Sequence, residues 1–228
     1  MQTGISKVSA IISPNFILPN EFEHLKHYKK DFNLKLGAME LRRMGVALKC
    51  ALSIVDSLNL DKETLQSVPI VFSSFSGETK HCINLLNNLK DDFVSPSAFS
   101  LSVLNATPAQ LAIFYKNKNE ISSISAKNSL EYGLIDAIIK PDKKVLLINY
   151  EEIAFDFENI SYYALGLLLD KEYTKRVCTL FFTPQDAKSS PIYQSAFLLL
   201  SNLADTSNHS WSVDSSAKWK WTLSYADI

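Results

Sequence analysis

Apolar residues change their period along this chain, from alternate positions to every third or fourth, and each change predicts an element. Ser6 to Ile12 alternates as a first strand, and Pro14 and Pro19 punctuate the segment after it. Glu21 to Lys30 is rich in charge and reads as a surface helix or loop. Arg42 to Leu58 carries Ala47, Cys50, Ala51, Ile54, Val55 and Leu58 along one face, the pattern of an amphipathic helix. Asp61 is placed to cap a further short turn. Val68 to Phe72 is a short apolar run with the character of a buried strand. Ser73 to Gly77 then forms the loop at its C-terminal end, and Thr79 to Lys90 a helix.

The stretch Ala98 to Ile139 reads as loop, helix, strand, sharp turn and helix. Thr107 is expected as N-cap with Pro108 at the first helical position, where its missing N–H costs nothing. Leu111, Ala112 and Tyr115 give that helix an apolar stripe, widened by Ile113 and Phe114, so it is expected to be buried on most sides. Ile121 to Ser125 alternates weakly as a short strand, and Lys127 to Ile139 carries Leu130, Leu134, Ala137 and Ile138 at helical spacing. A strand entering a helix through a tight corner is where many folds place a nucleophile. The corner here is Ser125-Ala126-Lys127-Asn128-Ser129, and it holds no cysteine.

Beyond Pro141-Asp142, Val145 to Tyr150 is another buried-type strand. The C-terminal third is expected to be less regular: Tyr163–Leu169 and Cys178–Thr183 have strand-like composition, Ile192–Leu203 reads as a helix, and Trp219–Leu223 alternates as a closing strand. Strands alternating with helices predict an α/β sheet with any site at the strand ends. A subdivision near residue 150 is conceivable, but no linker-like stretch marks it, so one domain over 1–228 is expected.

Composition narrows the classes. With 46% apolar and 21% charged residues and a net charge of −1, the 228-residue chain fits a globular domain with one substantial core. A nucleic-acid footprint would need a basic face, which the balanced charge does not supply. The longest apolar runs, such as Ala164–Leu169, are too short to span a bilayer. The N-terminal residues lack the apolar core of a signal peptide. Cys50, Cys82 and Cys178 are widely spaced, giving neither a disulfide framework nor a metal motif, so a reducing cytoplasm is the expected compartment.

Candidate chemistry is sparse. Ser125 or Ser129 would need an adjacent base to attack, and turn and capping roles are the plainer reading of both. Ser73-Ser74-Phe75-Ser76-Gly77 only superficially resembles a hydrolase elbow, since Phe75 stands where the serine belongs. His81 and Cys82 are adjacent, and adjacent helical side chains diverge by about 100°. His24 and His27 lie in the charged segment and His209 in a polar run; no other histidine exists. Lys116, Lys118, Lys127, Lys143 and Lys144 are equally a patch for an acidic partner or a solvated surface. Trp211, Trp219 and Trp221 read as core or edge-strand residues.

The run from Phe99 to Leu130, FSLSVLNATPAQLAIFYKNKNEISSISAKNSL, resembles the approach to the nucleophile turn of the β-ketoacyl synthases. The likeness extends to Leu41–Leu52, Val68–Glu78 (VPIVFSSFSGE), Ser95–Ala106 and Val145–Glu152 (VLLINYEE), most of the first two-thirds of the chain. It is closer still to short synthase-like proteins holding only the N-terminal half of that fold, which accompany aryl-polyene and related type II fatty-acid or polyketide gene sets. Aligned on Ser129-Leu130, Ala126 takes the place of the condensing cysteine. The histidine motifs of the second half, such as His-Gly-Thr-Gly-Thr, have no counterpart here.

The resemblance implies a thiolase-like half-fold, a mixed sheet flanked by helices. It implies a non-catalytic subunit, a chain length factor, pairing with a full-length β-ketoacyl synthase and reaching acyl carrier protein through the complex. No cofactor and no metal are implied. Pairing would use Ile121, Ile124 and Ser125 of the strand, with Thr107 and Leu111 of the preceding helix. Ala98, Phe99, Leu101, Val103, Leu104 and Asn105 would line or close the partner's acyl tunnel. A small serine acyltransferase or hydrolase, and a scaffold protein without acyl contact, remain as alternatives.

Overall fold

The computed structural model describes residues 1–32, 34–89, 95–154, 159–186 and 188–226. Eight strands form one mixed sheet: β1 (Gln2–Ile12), β2 (Ile70–Ser73), β3 (Ile121–Ile124), β4 (Lys144–Ala154), β5 (Ile160–Asp170), β6 (Arg176–Pro184), β7 (His209–Asp214) and β8 (Ala217–Tyr225). Their order is β3-β2-β4-β5-β1-β6-β8-β7. β2 runs parallel to both β3 and β4, and every other neighbouring pair is antiparallel. Tyr150 lies inside β4, whose full length pairs with β5.

Both faces of the central strands are covered, which is why they read as unbroken apolar runs. On one side α2 (Val46–Leu58) and α6 (Ala106–Tyr115) pack over Ile70, Phe72, Leu146, Ile148 and Leu168. On the other, α7 (Ser129–Ile139), α8 (Gln194–Asn202) and a 3-10 helix (Asn20–Tyr28) cover Val71, Leu147, Leu165, Leu167, Trp219 and Trp221. α2 lies close on β5 because Gly166 leaves the room: a Cβ there would stand 2.1 Å from Ile54 Cγ2.

Several boundaries differ from the sequence pattern for identifiable reasons. The expected helix from Arg42 is two: α1 (Ala38–Arg43) ends at Met44 in extended conformation, and α2 starts after Gly45. Most of the segment Glu21–Lys30 is the 3-10 helix, which ends at Tyr28 and buries Phe22 and Leu25 beneath its charges. Asp61 does cap α3 (Lys62–Ser67), accepting Thr64 N–H at 2.8 Å. α4 spans Thr79–Asn88, and Lys90 lies outside the described residues. After the short α5 (Pro96–Ser100), the N-cap of α6 is Asn105 and not Thr107, so Pro108 is the third helical residue. That position still precedes the first intrahelical N–H donor, so proline fits there.

The last third is the largest correction. Instead of being irregular, it supplies α8, β5, which lies between β4 and β1, and β6, β8 and β7, which extend the sheet from β1 outward. Trp219, Trp221 and Leu223 turn inward and close the core over α7 and α8. No helix among the described residues is long and apolar enough to cross a membrane.

Candidate functional site

Two loops meet at the C-terminal ends of the parallel strands. One is 74–77, leaving β2; the other is the corner 125–128 between β3 and α7. Ser74 N–H donates to Ile124 O at 3.0 Å and joins them. Ser125 and Lys127 are exposed, Ala126 is half-buried, and Asn128 is buried with its Oδ1 accepting from Ser216 Oγ at 2.7 Å. Gly77 takes a left-handed φ of 57°, which turns the first loop into α4.

Beneath both loops stands Glu151, fully buried on β4. Its Oε1 accepts Phe75 N–H at 2.8 Å and Ser129 Oγ–H at 2.5 Å. Its Oε2 accepts Ser76 N–H at 2.8 Å and Ser76 Oγ–H at 2.6 Å. Burial pushes this carboxyl upward, and the hydrogen bonds of Ser129, Ser76 and Phe75 pull it back. Asn149, two residues earlier on the same face of the strand, donates to Ser129 Oγ at 2.8 Å and to Ser73 O at 3.1 Å. Tyr163 OH donates to Asn149 Oδ1 at 3.2 Å. α7 reaches this network closely because residue 133 is glycine: a Cβ there would lie 2.7 Å from Ser73 Oγ.

This arrangement fastens; it does not activate. Ser129 already gives its proton to Glu151 and accepts from Asn149, and it is 3% exposed, so no substrate reaches its oxygen. The acceptor positions of Glu151 are taken by four donors of this chain, so its carboxylate is committed to holding the loops. Ser125 is exposed but makes no side-chain hydrogen bond among the described residues, so no base serves it. The histidines are dispersed: His24 meets Ser201, His27 meets His24 O, His209 meets Asp205, and His81 meets Ala98 O and not Cys82. Among the described residues no group of three or more His, Cys, Asp or Glu is placed to hold a metal.

The residues expected at an interface or tunnel divide. Ile121, Ile124 and Ser125 lie on or just beyond β3, the edge strand of the sheet, and Ile121 is 37% exposed. Thr107 and Leu111 face inward and pack within this chain's own core. The outward face of α6 instead presents Ile113 and Phe114, 76% and 46% exposed. Phe99, Val103 and Asn105 are exposed, whereas Ala98, Leu101 and Leu104 are half-buried. The Glu151 clamp escapes a search for catalytic patterns; its trace is a polar Asn149 and two glutamates at the end of an apolar strand.

The sequence that builds this corner and its sheet matches a family model. It describes the N-terminal domain of β-ketoacyl synthases and covers residues 23–222. The chain belongs to the β-ketoacyl synthase N-terminal domain family.

Among solved structures, this synthase-family chain resembles one in the complex of a ketosynthase (ApeO) with its chain length factor (ApeC) from Xenorhabdus doucetiae. The TM-score is 0.69 at 24% identity, over 97% of this chain and 99% of that one. It also resembles the ishigamide ketosynthase/chain length factor, at TM-score 0.68 and 13% identity over 99% of both chains. A third likeness, at TM-score 0.56 and 11% identity, is to the type II polyketide synthase complex AntDE:AntF, an acyl-carrier protein with its ketosynthase bound to the hexaketide. It covers 81% of this chain and 70% of that one. These likenesses show a thiolase-like fold. No curated protein matches the chain.

Proposed function

We propose that this chain is a chain-length-factor-like subunit. It pairs with a full-length, active β-ketoacyl synthase, forms no bond itself, and shapes the tunnel that accepts the growing, carrier-bound acyl chain. The observation that carries this reading is the length of the likeness to the ketosynthase–chain length factor complex. A chain of 228 residues can cover 99% only of a chain about as short as itself. The corner supports it: Ala126 offers no nucleophilic atom where the family resemblance puts cysteine, and the two nearby serines are saturated or unassisted.

The edge strand supports pairing. Among the described residues β3 has one neighbour, β2, which leaves its other side as a sheet edge able to extend a partner's sheet. Ile121 on the strand and Ile113 and Phe114 on α6 add apolar area beside it. The burial of Ser129 speaks against the acyltransferase reading.

Co-expression with the full-length β-ketoacyl synthases of the source genome, one at a time, tests this. One of them is expected to co-elute with the chain as a stoichiometric complex. That complex should extend malonyl-loaded acyl carrier protein, while the chain alone should not. Turnover by the isolated chain, or no complex with any of them, would overturn the proposal.

A further inference from the structure

The segment 95–104, most of the expected tunnel wall, is held mostly by itself. Ser95 O accepts Phe99 N–H, Ala98 O accepts Leu101 N–H, and Phe99 O accepts Ser102 N–H; the hydroxyls of Ser100 and Ser102 also bond back within the segment. Val103 O takes Ala106 N–H at 3.0 Å, the local turn into α6. Among the described residues one further hydrogen bond reaches the segment from elsewhere. It joins His81 Nε2, on α4, to Ala98 O at 2.8 Å.

The donor stands on a fixed platform. Lys80 N–H, one residue before His81, is bound at 2.8 Å by Glu152 Oε2, and Tyr150 OH braces that carboxylate at 2.7 Å. A carbonyl only accepts, so Nε2 of His81 carries the proton in this contact. Under the far end of the segment Leu104 seats over a gap of about 10 Å³ beside Ala47, Phe72 and Glu78, room for no more than a water. The segment is thus pressed down at Leu104 and tethered at Ala98, next to the exposed Phe99.

We infer that His81 is a positioning residue: by holding Ala98 O it fixes where Phe99 and Val103 stand, and so where the tunnel ends. The inference rests on the chain-length reading. It extends that reading to a residue outside the resemblance, on an element with no other part in the site.

Three variants test it: His81→Ala, His81→Gln, whose amide nitrogen can reach the place of Nε2, and His81→Leu, which fills space without donating. Hydrogen exchange on the isolated chain needs no partner. His81→Ala and His81→Leu should speed exchange over 95–104 by about 2- to 10-fold, the range for one lost hydrogen bond. α2 and α7 should be unchanged, and His81→Gln should restore protection. In the reconstituted pair, mass spectrometry should find product lengths shifted or broadened by Ala and Leu and restored by Gln.

Unchanged exchange over 95–104 in His81→Ala, or wild-type behaviour of His81→Leu, overturns the tether. A pair that responds to changes at Phe99 but not to His81→Ala overturns the positioning role and leaves the proposed function standing. Loosened exchange together with products that are the same with and without this chain overturns the chain-length reading itself, and the role of His81 in it.

Discussion

Ser195, in the first turn of α8, donates its hydroxyl proton to the carboxyl of Glu131, in the first turn of α7, and both side chains are buried. The contact joins two helices on the same side of the sheet. Burial pushes the Glu131 carboxyl up to about 7, against the smaller downward pull of the Ser195 hydroxyl.

A carboxyl whose pKa is raised on folding makes the native state bind the extra proton, so stability falls as pH rises between the unfolded and folded values. For Glu131 that window runs from 4.5 to about 7. Glu131→Gln keeps an acceptor for Ser195 and removes the charge. The variant should gain stability over wild type progressively through that window, reaching about 3 kcal/mol above it. Below pH 4.5 the two should be close. Denaturant melts at pH 4 and pH 8 check this; a variant less stable than wild type at pH 8 would mean Glu131 is needed as an anion.

How much of this was legible differs by element, for physical reasons. Val68–Phe72 and Val145–Tyr150 announce themselves because burial on both faces writes a continuous apolar run. β7 does not: Trp211 and Val213 alternate with Ser210, Ser212 and Asp214, and only pairing with β8 makes that weak pattern a strand. Glu131 reads as a solvated helix residue until α8, from 64 residues later, arrives over it with Ser195. Glu151 has the same character, since its four donors come from the 74–77 loop and from Ser129 at the start of α7, both distant in sequence. Leu111 and Ile113 both fit the apolar stripe of α6, and only the packing of α6 on α2 decides which one faces out.

That distinction gives the pairing test its control. Leu111 is 1% exposed, so Leu111→Lys buries an unpaired charge in this chain's own core and should cost several kcal/mol, with insolubility. Ile113 is 76% exposed, so Ile113→Lys should shift the stability of the isolated chain by no more than about 0.5 kcal/mol. In the co-expressed pair, however, it should weaken association. Gel filtration of both variants settles the matter: if Ile113→Lys pairs as wild type does, α6 lies away from the interface.

Placing a thiol at the corner is expected to confer no condensing activity. Ala126 is half-buried at the corner, and none of the four histidines hydrogen-bonds to a residue of that corner. Ala126→Cys therefore gains a nucleophile without a histidine to serve it as base, and slow self-acylation from an activated thioester is the most it should do. Carbon–carbon bond formation by the isolated Cys variant would refute the non-catalytic reading.

The length of the product is the sharpest test of the 98–105 segment. Had Phe99 filled this chain's own core, Phe99→Ala would cost about 3–5 kcal/mol. It is instead 61% exposed, so the substitution should leave the melting temperature of the isolated chain nearly unchanged. Any effect on products must then arise in the complex. An acyl chain gains roughly 0.8 kcal/mol for each CH₂ it can bury and meets steric refusal where a wall residue stands. Phe99→Ala is expected to lengthen products by about one or two extension units, and Ala98→Phe to shorten them, with early extension steps of the partner unaffected. Product spectra from the reconstituted pair, read beside melting curves of both variants, decide it. A well-folded Ala98→Phe complex with an unaltered spectrum would remove this segment from the tunnel and leave its exposed phenylalanine as a contact of another kind.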